Sequence, residues 1–121
     1  MYKISKEFSF DASHQLLGLL PGHKCMRLHG HTYTVIVELR SQVLNSVGFV
    51  TDYNLLDPMK KYIDNYFDHR HLNDVMEQPT AENLAKFLYE MFKPAFPQLY
   101  SVTVKETPKT AATYWEGASN E

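Results

Sequence analysis

The residues able to do chemistry are concentrated in one stretch, Gly22-His23-Lys24-Cys25-Met26-Arg27-Leu28-His29-Gly30-His31, which holds the only cysteine, three histidines and two cations. It runs into Thr32-Tyr33-Thr34-Val35-Ile36-Val37-Glu38-Leu39, the clearest strand pattern in the chain. Successive side chains of a strand alternate faces, so His29 and His31 point the same way as Tyr33, Val35 and Val37. Residues 2–14 alternate as well, with Ile4, Phe8, Phe10 and Ala12 on one side, and the same parity carries His14 onto that apolar face. If the two strands pair, three imidazoles can meet. Zinc accepts neutral imidazole, and three protein ligands with a fourth position open describe a catalytic rather than a structural site. The plainer alternative is a hydrogen-bonded pair of core histidines. That is hard to extend to three converging rings, because an unpartnered buried polar group costs free energy.

Cys25 lies four residues before His29. A free cysteine is commonly a small buried hydrophobe. Here Lys24, Arg27 and a nearby divalent ion would favour the thiolate, the reactive form. As a fourth metal ligand, Cys25 would instead close the coordination sphere and make the site structural. Asp68-His69 sets a carboxylate beside an imidazole at a helix end, suited to orienting and charging a general base, although loops are rich in both residue types. His71 and Asp74 read as makers of local loop hydrogen bonds. Glu106 falls on the inward parity of an alternating segment. Its carboxylate needs a basic side chain, a ligand with paired N–H donors, or an outlet to solvent at the strand end.

The elements that must position these groups follow from periodicity. Strands are expected over 2–14, 29–39, 101–107 and 111–116, with Val102 and Val104 inward, and Gly48 to Asp52 looks extended. Leu55, Leu56, Met59, Tyr62, Ile63, Tyr66 and Phe67 recur at helical spacing over 54–67, and Pro58 places the helix start at Asn54 or Asp57. Residues 68–74 read as a polar loop. Thr80 can cap a second helix with Glu82 at its positive end, a stripe of Leu84, Phe87, Leu88, Met91 and Phe92, and Pro94 as its stop. The Gly/Ser/Asn tail is expected to fray. Strand, strand, helix, helix, strand, strand implies an α+β fold: an antiparallel four-stranded sheet with both helices on one face. At 121 residues the expectation is one domain spanning 1–121. A net charge of −2 argues against a nucleic-acid partner. No stretch is apolar for long enough to span a membrane and the first residues lack a signal core, so a cytoplasmic protein is expected.

Phe10-x-Ala12-Ser13-His14, Cys25-x-x-x-His29-Gly30-His31, Asp52-Tyr53, Asp68-His69-x-x-Leu72-Asn73, Pro79-Thr80-x-Glu82-Asn83 and Lys105-Glu106-Thr107 together resemble the 6-pyruvoyltetrahydropterin synthase superfamily. The three-residue gap between Cys25 and His29 is similar to its bacterial branch, the 6-carboxytetrahydropterin synthases of queuosine and 7-deazapurine synthesis. Tyr53 stands where Phe is usual and Met26 where Gly is frequent. The resemblance implies the tunnelling fold (T-fold), with sheets joined into a trimeric barrel and two trimers stacked as a homohexamer. It implies Zn2+ held by His14, His29 and His31, with Cys25 as catalytic thiol. Asp68 and His69 become an acid–base pair that can come from a different subunit, and Glu106 the anchor of the pterin. The implied reaction is that of a lyase converting 7,8-dihydroneopterin triphosphate to 6-carboxy-5,6,7,8-tetrahydropterin, acetaldehyde and triphosphate. Thr80 is a candidate contact to the ring, and Lys24 and Arg27, by charge and proximity, to the triphosphate. Two alternatives stay open: a 6-pyruvoyltetrahydropterin synthase, and a zinc-containing pterin-binding module without chemistry.

Overall fold

The computed structural model describes residues 1–117, with the side chain of Cys25 outside the described part. The terminal tail expected to fray lies almost wholly beyond it. In chain order come β1 (Tyr2–His14), β2 (His29–Ser41), α1 (Asp57–Tyr66), a two-residue β3 (Arg70–His71), α2 (Ala81–Phe92), β4 (Leu99–Thr107) and β5 (Thr110–Trp115). The sheet order is β3-β1-β2-β4-β5. The pairs β1–β2, β2–β4 and β4–β5 are antiparallel, and β3 runs parallel to β1. The α+β class with a strand pair, a helix pair and a strand pair therefore holds, with a short fifth strand making the sheet mixed.

That fifth strand corrects the reading of 68–74 as loop. Two residues carry no periodicity, so nothing local marks them; Arg70 and His71 pair because β1 offers Ala12 and Ser13 as partners. Residues 72–74 then form a 3-10 turn closed by Val75 N–H on Leu72 O at 2.9 Å. Gly48 to Asp52 is likewise not a strand. The Asn45 side chain accepts from Val47 N at 3.0 Å and Phe49 N at 2.9 Å and curls the segment, with Gly48 at φ +95°.

Both helices bury their apolar stripes against one face of the sheet. Phe8, Phe10, Tyr33, Val35, Val37, Val102 and Val104 from the strands form one continuous core with Met59, Ile63, Leu84, Leu88 and Phe92. Each such side chain contributes about 1.5–3 kcal/mol on burial. The expected helix over 54–67 is split, because Tyr53–Leu56 is a 3-10 turn whose start is capped by Asp52 Oδ1 accepting from Asn54 N at 2.9 Å. Its tighter winding turns Leu55 off the stripe, leaving it 62% exposed, while Leu56 is fully buried. Tyr66 also lies outside the core and packs its ring on Tyr62, centroids 4.8 Å apart. Met91 falls at the exposed margin of the α2 stripe. Thr80 caps α2 as expected, its hydroxyl oxygen accepting from Asn83 N at 3.1 Å.

Candidate active site

The β1–β2 register sets His14 opposite His29 and Ala12 opposite His31. All three imidazoles emerge on the core side at one end of the sheet. His14 is fully buried and the other two are partly buried. His14 Nε2 lies 3.0 Å from His29 Nε2, and the three ring centroids are 4.5–5.0 Å apart. His29 Nδ1–H donates to Arg27 O at 2.6 Å, which turns its Nε2 toward the other rings. His14 Nδ1 meets the Tyr33 hydroxyl. His31 Nε2 is buried and, among the described residues, the only side-chain nitrogen or oxygen so buried with no hydrogen-bond partner.

Such an orphan is expensive in a core and ordinary at a metal site. One nitrogen from each ring lies within 4.8 Å of the others. Imidazole nitrogens about 2.0–2.1 Å from a tetrahedral ion are about 3.3 Å apart, so the pocket is close to that geometry. The protonation energetics point the same way. Burial first, and then the charges of His29, His31 and His71, push His14 down to about 4. Burial also lowers His31, opposed by the Glu106 carboxylate and reinforced by His29. Neutral imidazole is the form that ligates. The residues fit a divalent transition metal, and three nitrogen donors suit zinc among others.

Glu106 sits in β4 where its pairing with β5 is interrupted by a bulge between Val104 and Thr107. Bulges re-aim side chains. Its carboxylate is half-buried, 3.7 Å from His31 Nε2. On its other side it shares a pocket of about 210 Å³ with Ala81, Glu82 and Ala112, at the start of α2. Thr80 is next to that pocket in sequence, with its hydroxyl oxygen committed to the cap.

The Asp68–His69 pair is built by the end of α1. Phe67 N and Asp68 N both donate to Ile63 O at 2.9 Å, and His69 then takes φ +58°, reversing the chain toward β1. There the Asp11 backbone clasps both residues, its N–H donating to Asp68 Oδ1 at 2.9 Å and its carbonyl accepting from His69 N at 2.6 Å. Asp68 Oδ2 lies 2.9 Å from His69 Nδ1. The Asp11 amide first, and the His69 contact second, hold Asp68 below the usual carboxylate range. The neighbouring Asp11 carboxylate accepts from the Thr32 hydroxyl at 2.6 Å. Asp11 and Thr32 alternate with Ala12 and Tyr33, so this pair serves the face of the sheet away from the helices, with the His69 side chain 79% exposed. A groove of about 560 Å³ runs past it and is lined by His31, Ser13, His69, Arg70 and His71.

Two expected residues stand apart. Lys24 and Arg27 are exposed and do not line that groove. Cys25 falls in a 3-10 turn, Lys24–Met26, and the role expected of its thiol lies outside the described part. Three contributors went unassigned from the sequence. Asp11 acts largely through its backbone, which no side-chain pattern marks. Ser13 Oγ lies 3.1 Å from His71 Nδ1, joining β1 to β3. Tyr33 did carry a signal, since it shares the parity of His29 and His31. The segment after His14 is held by side-chain amides: Asn73 bonds both N–H and C=O of Gln15 at 2.8 Å. Gln78 does the same for Leu17 at 2.8 and 2.7 Å.

The family described as 6-pyruvoyl tetrahydropterin synthase matches residues 3–117. A 6-carboxy-5,6,7,8-tetrahydropterin synthase of Synechocystis is 41% identical, over 95% of this chain and 94% of its own length. One from Haemophilus influenzae is 33% identical, over 96% of this chain and 100% of its own. The solved structure of Caenorhabditis elegans 6-pyruvoyl tetrahydropterin synthase superposes with a TM-score of 0.84 at 30% identity, covering 96% of each chain.

Proposed function

The chain belongs to the 6-pyruvoyl tetrahydropterin synthase family of enzymes, and from that premise we propose that it is a zinc-dependent lyase. The proposed reaction turns 7,8-dihydroneopterin triphosphate and one water into 6-carboxy-5,6,7,8-tetrahydropterin, acetaldehyde and triphosphate, the reaction of queuosine and 7-deazapurine synthesis. The observation that carries the reading is the convergence of His14, His29 and His31 with His31 Nε2 left unpartnered. The names of the two bacterial relatives favour the carboxy product over the pyruvoyl one.

His14, His29 and His31 would hold the zinc. When bound, the ion supplies Lewis acidity that makes the C–H and O–H protons of the substrate side chain more acidic. The Cys25 thiolate takes and returns protons along that side chain. His69 is its partner acid or base, and Asp68, kept ionised by the Asp11 amide, orients and charges the ring. Glu106 pairs with the pterin amino group and ring N–H, which answers the cost of its half-burial. The start of α2, where Ala81 lines the Glu106 pocket and Thr80 precedes it in sequence, is the candidate for further ring contacts. Lys24 and Arg27 stay candidates for the triphosphate on charge alone. The placing of the Asp68–His69 pair on the helix-free face, with its imidazole in solvent, supports its serving the metal centre of a neighbouring subunit. Unpaired sheet edges at β3 and β5, and the exposed Leu17, Leu20 and Leu28 before β2, support a trimer or a dimer of trimers.

Incubating the purified protein with 7,8-dihydroneopterin triphosphate and identifying products by mass tests the reading. Carboxy-tetrahydropterin with acetaldehyde is expected, alongside about one zinc per chain. A pyruvoyl product without acetaldehyde would move the assignment to the pyruvoyl synthases. Binding without turnover would leave a pterin-binding module.

A further inference from the structure

We propose that Tyr33 is the positioning residue of the metal centre: its phenol oxygen, held against His14 Nδ1, accepts the proton of that nitrogen when His14 ligates through Nε2 and so favours the ligating tautomer. The inference rests on the reading of His14, His29 and His31 as a metal site.

The protons on the three rings are set by their partners. A carbonyl oxygen only accepts, so the 2.6 Å contact from His29 Nδ1 to Arg27 O places the proton of neutral His29 on Nδ1 and a lone pair on its Nε2. Taken as a hydrogen bond, the 3.0 Å contact between the two Nε2 atoms has His14 Nε2 as its donor. Neutral His14 has a lone pair left on Nδ1, and the Tyr33 O–H donates to it. In this tautomer the chain closes on itself: Tyr33 O–H to His14, His14 to His29, His29 to the Arg27 carbonyl. In that arrangement His14 Nε2 carries hydrogen and has no lone pair to offer.

For all three rings to ligate, the His14 proton has to sit on Nδ1, with the Tyr33 oxygen as its acceptor. A hydroxyl is suited to this, because it donates in one state and accepts in the other by rotation of one hydrogen. Bound metal withdraws charge from the imidazole, which strengthens the Nδ1–H donor, so the contact with Tyr33 is worth more in the loaded state than in the free one. The phenol is held in place for the task. Tyr33 is fully buried, its ring stacks on Phe10 at 4.8 Å between centroids and 6° between planes, and the His14 ring lies 6.1 Å away. Phe in its place keeps the ring and the stack and removes only the oxygen.

The test compares the full chain with Tyr33→Phe. Zn2+ and Co2+ affinities are measured by competition with a chromophoric chelator, and the position of the His14 ring proton is read by 15N NMR in the Zn2+-loaded wild type. A loss of about 10–100-fold in affinity is expected for the variant, with the ring proton of the loaded wild type on Nδ1. Affinities within twofold of each other would overturn the proposal, as would a loaded wild type with its His14 proton on Nε2. Should the variant fail to fold, the wild-type proton position alone decides. If the wild type itself binds neither ion, the metal reading falls and this inference with it. That outcome is distinct from a wild type that binds and a variant that binds equally well.

Discussion

His14 is the group through which acid should destabilise the metal-free protein. Its ring is 0% exposed and its pKa is pushed from 6.5 to about 4, by burial first and by neighbouring histidine charges second. In the unfolded chain the same ring titrates near 6.5. Between about pH 4 and 6.5 the unfolded chain therefore holds a proton that the folded chain refuses, and stability rises with pH over that window. The contribution of His14 is fully present above about pH 6.5 and exhausted below about pH 4. At about 1.36 kcal/mol for each tenfold change in proton affinity, the loss on acidification is roughly 3 kcal/mol, a large share of the 5–15 kcal/mol of a typical domain. The perturbation is His14→Gln, a side chain that cannot titrate but can still meet the Tyr33 hydroxyl. Urea unfolding of both metal-stripped proteins between about pH 7.5 and 4 is the assay. The variant is expected to be the less stable protein at neutral pH, and its deficit should shrink by roughly 3 kcal/mol as the pH falls. Parallel curves for the two proteins, whatever their common slope owes to the carboxylates, would mean that His14 takes up its proton alike in the folded and unfolded chain.

Three further outcomes are expected. Cys25→Ala should abolish turnover while zinc stays near one per chain, measured by elemental analysis; loss of zinc with the thiol would make Cys25 a ligand. Glu106→Gln should weaken pterin binding by about 1.5–3 kcal/mol, roughly 10- to 150-fold, because a charged acceptor is replaced by a neutral one. Metal content should not change, since Glu106 stands 3.7 Å from His31 Nε2 and outside the group of three ligands. Thr80→Ala removes the side-chain cap of α2 and should cost about 1 kcal/mol in chemical denaturation.

The alternation of β1 and β2 by itself brought His14, His29 and His31 to one face, because a period of two is a local property of extended backbone and leaves no freedom once the strands pair. The cap at Thr80, and the start of α1 at Asp57 before Pro58, were legible because capping and proline placement are local as well, whereas the Asp52 cap emerged only in the structure. The family was legible too, since its motifs lie in order along the chain. Where long-range partners decide, the local pattern misled or fell silent. Leu55 and Tyr66 fit the helical stripe yet lie in solvent, since the 3-10 turn and the end of the core set which side is inward. Arg70 and His71 become a strand only because β1 has a free edge there. The clasp of the Asp68–His69 pair by the Asp11 backbone joins residues 57 positions apart. The contact between Tyr33 and His14 bridges 19. Sequence determined which side chains face one another across a strand pair. Tertiary structure decided which of their polar atoms are satisfied and which, like His31 Nε2, are left waiting, because hydrogen-bond accounting in a core depends on every neighbour at once.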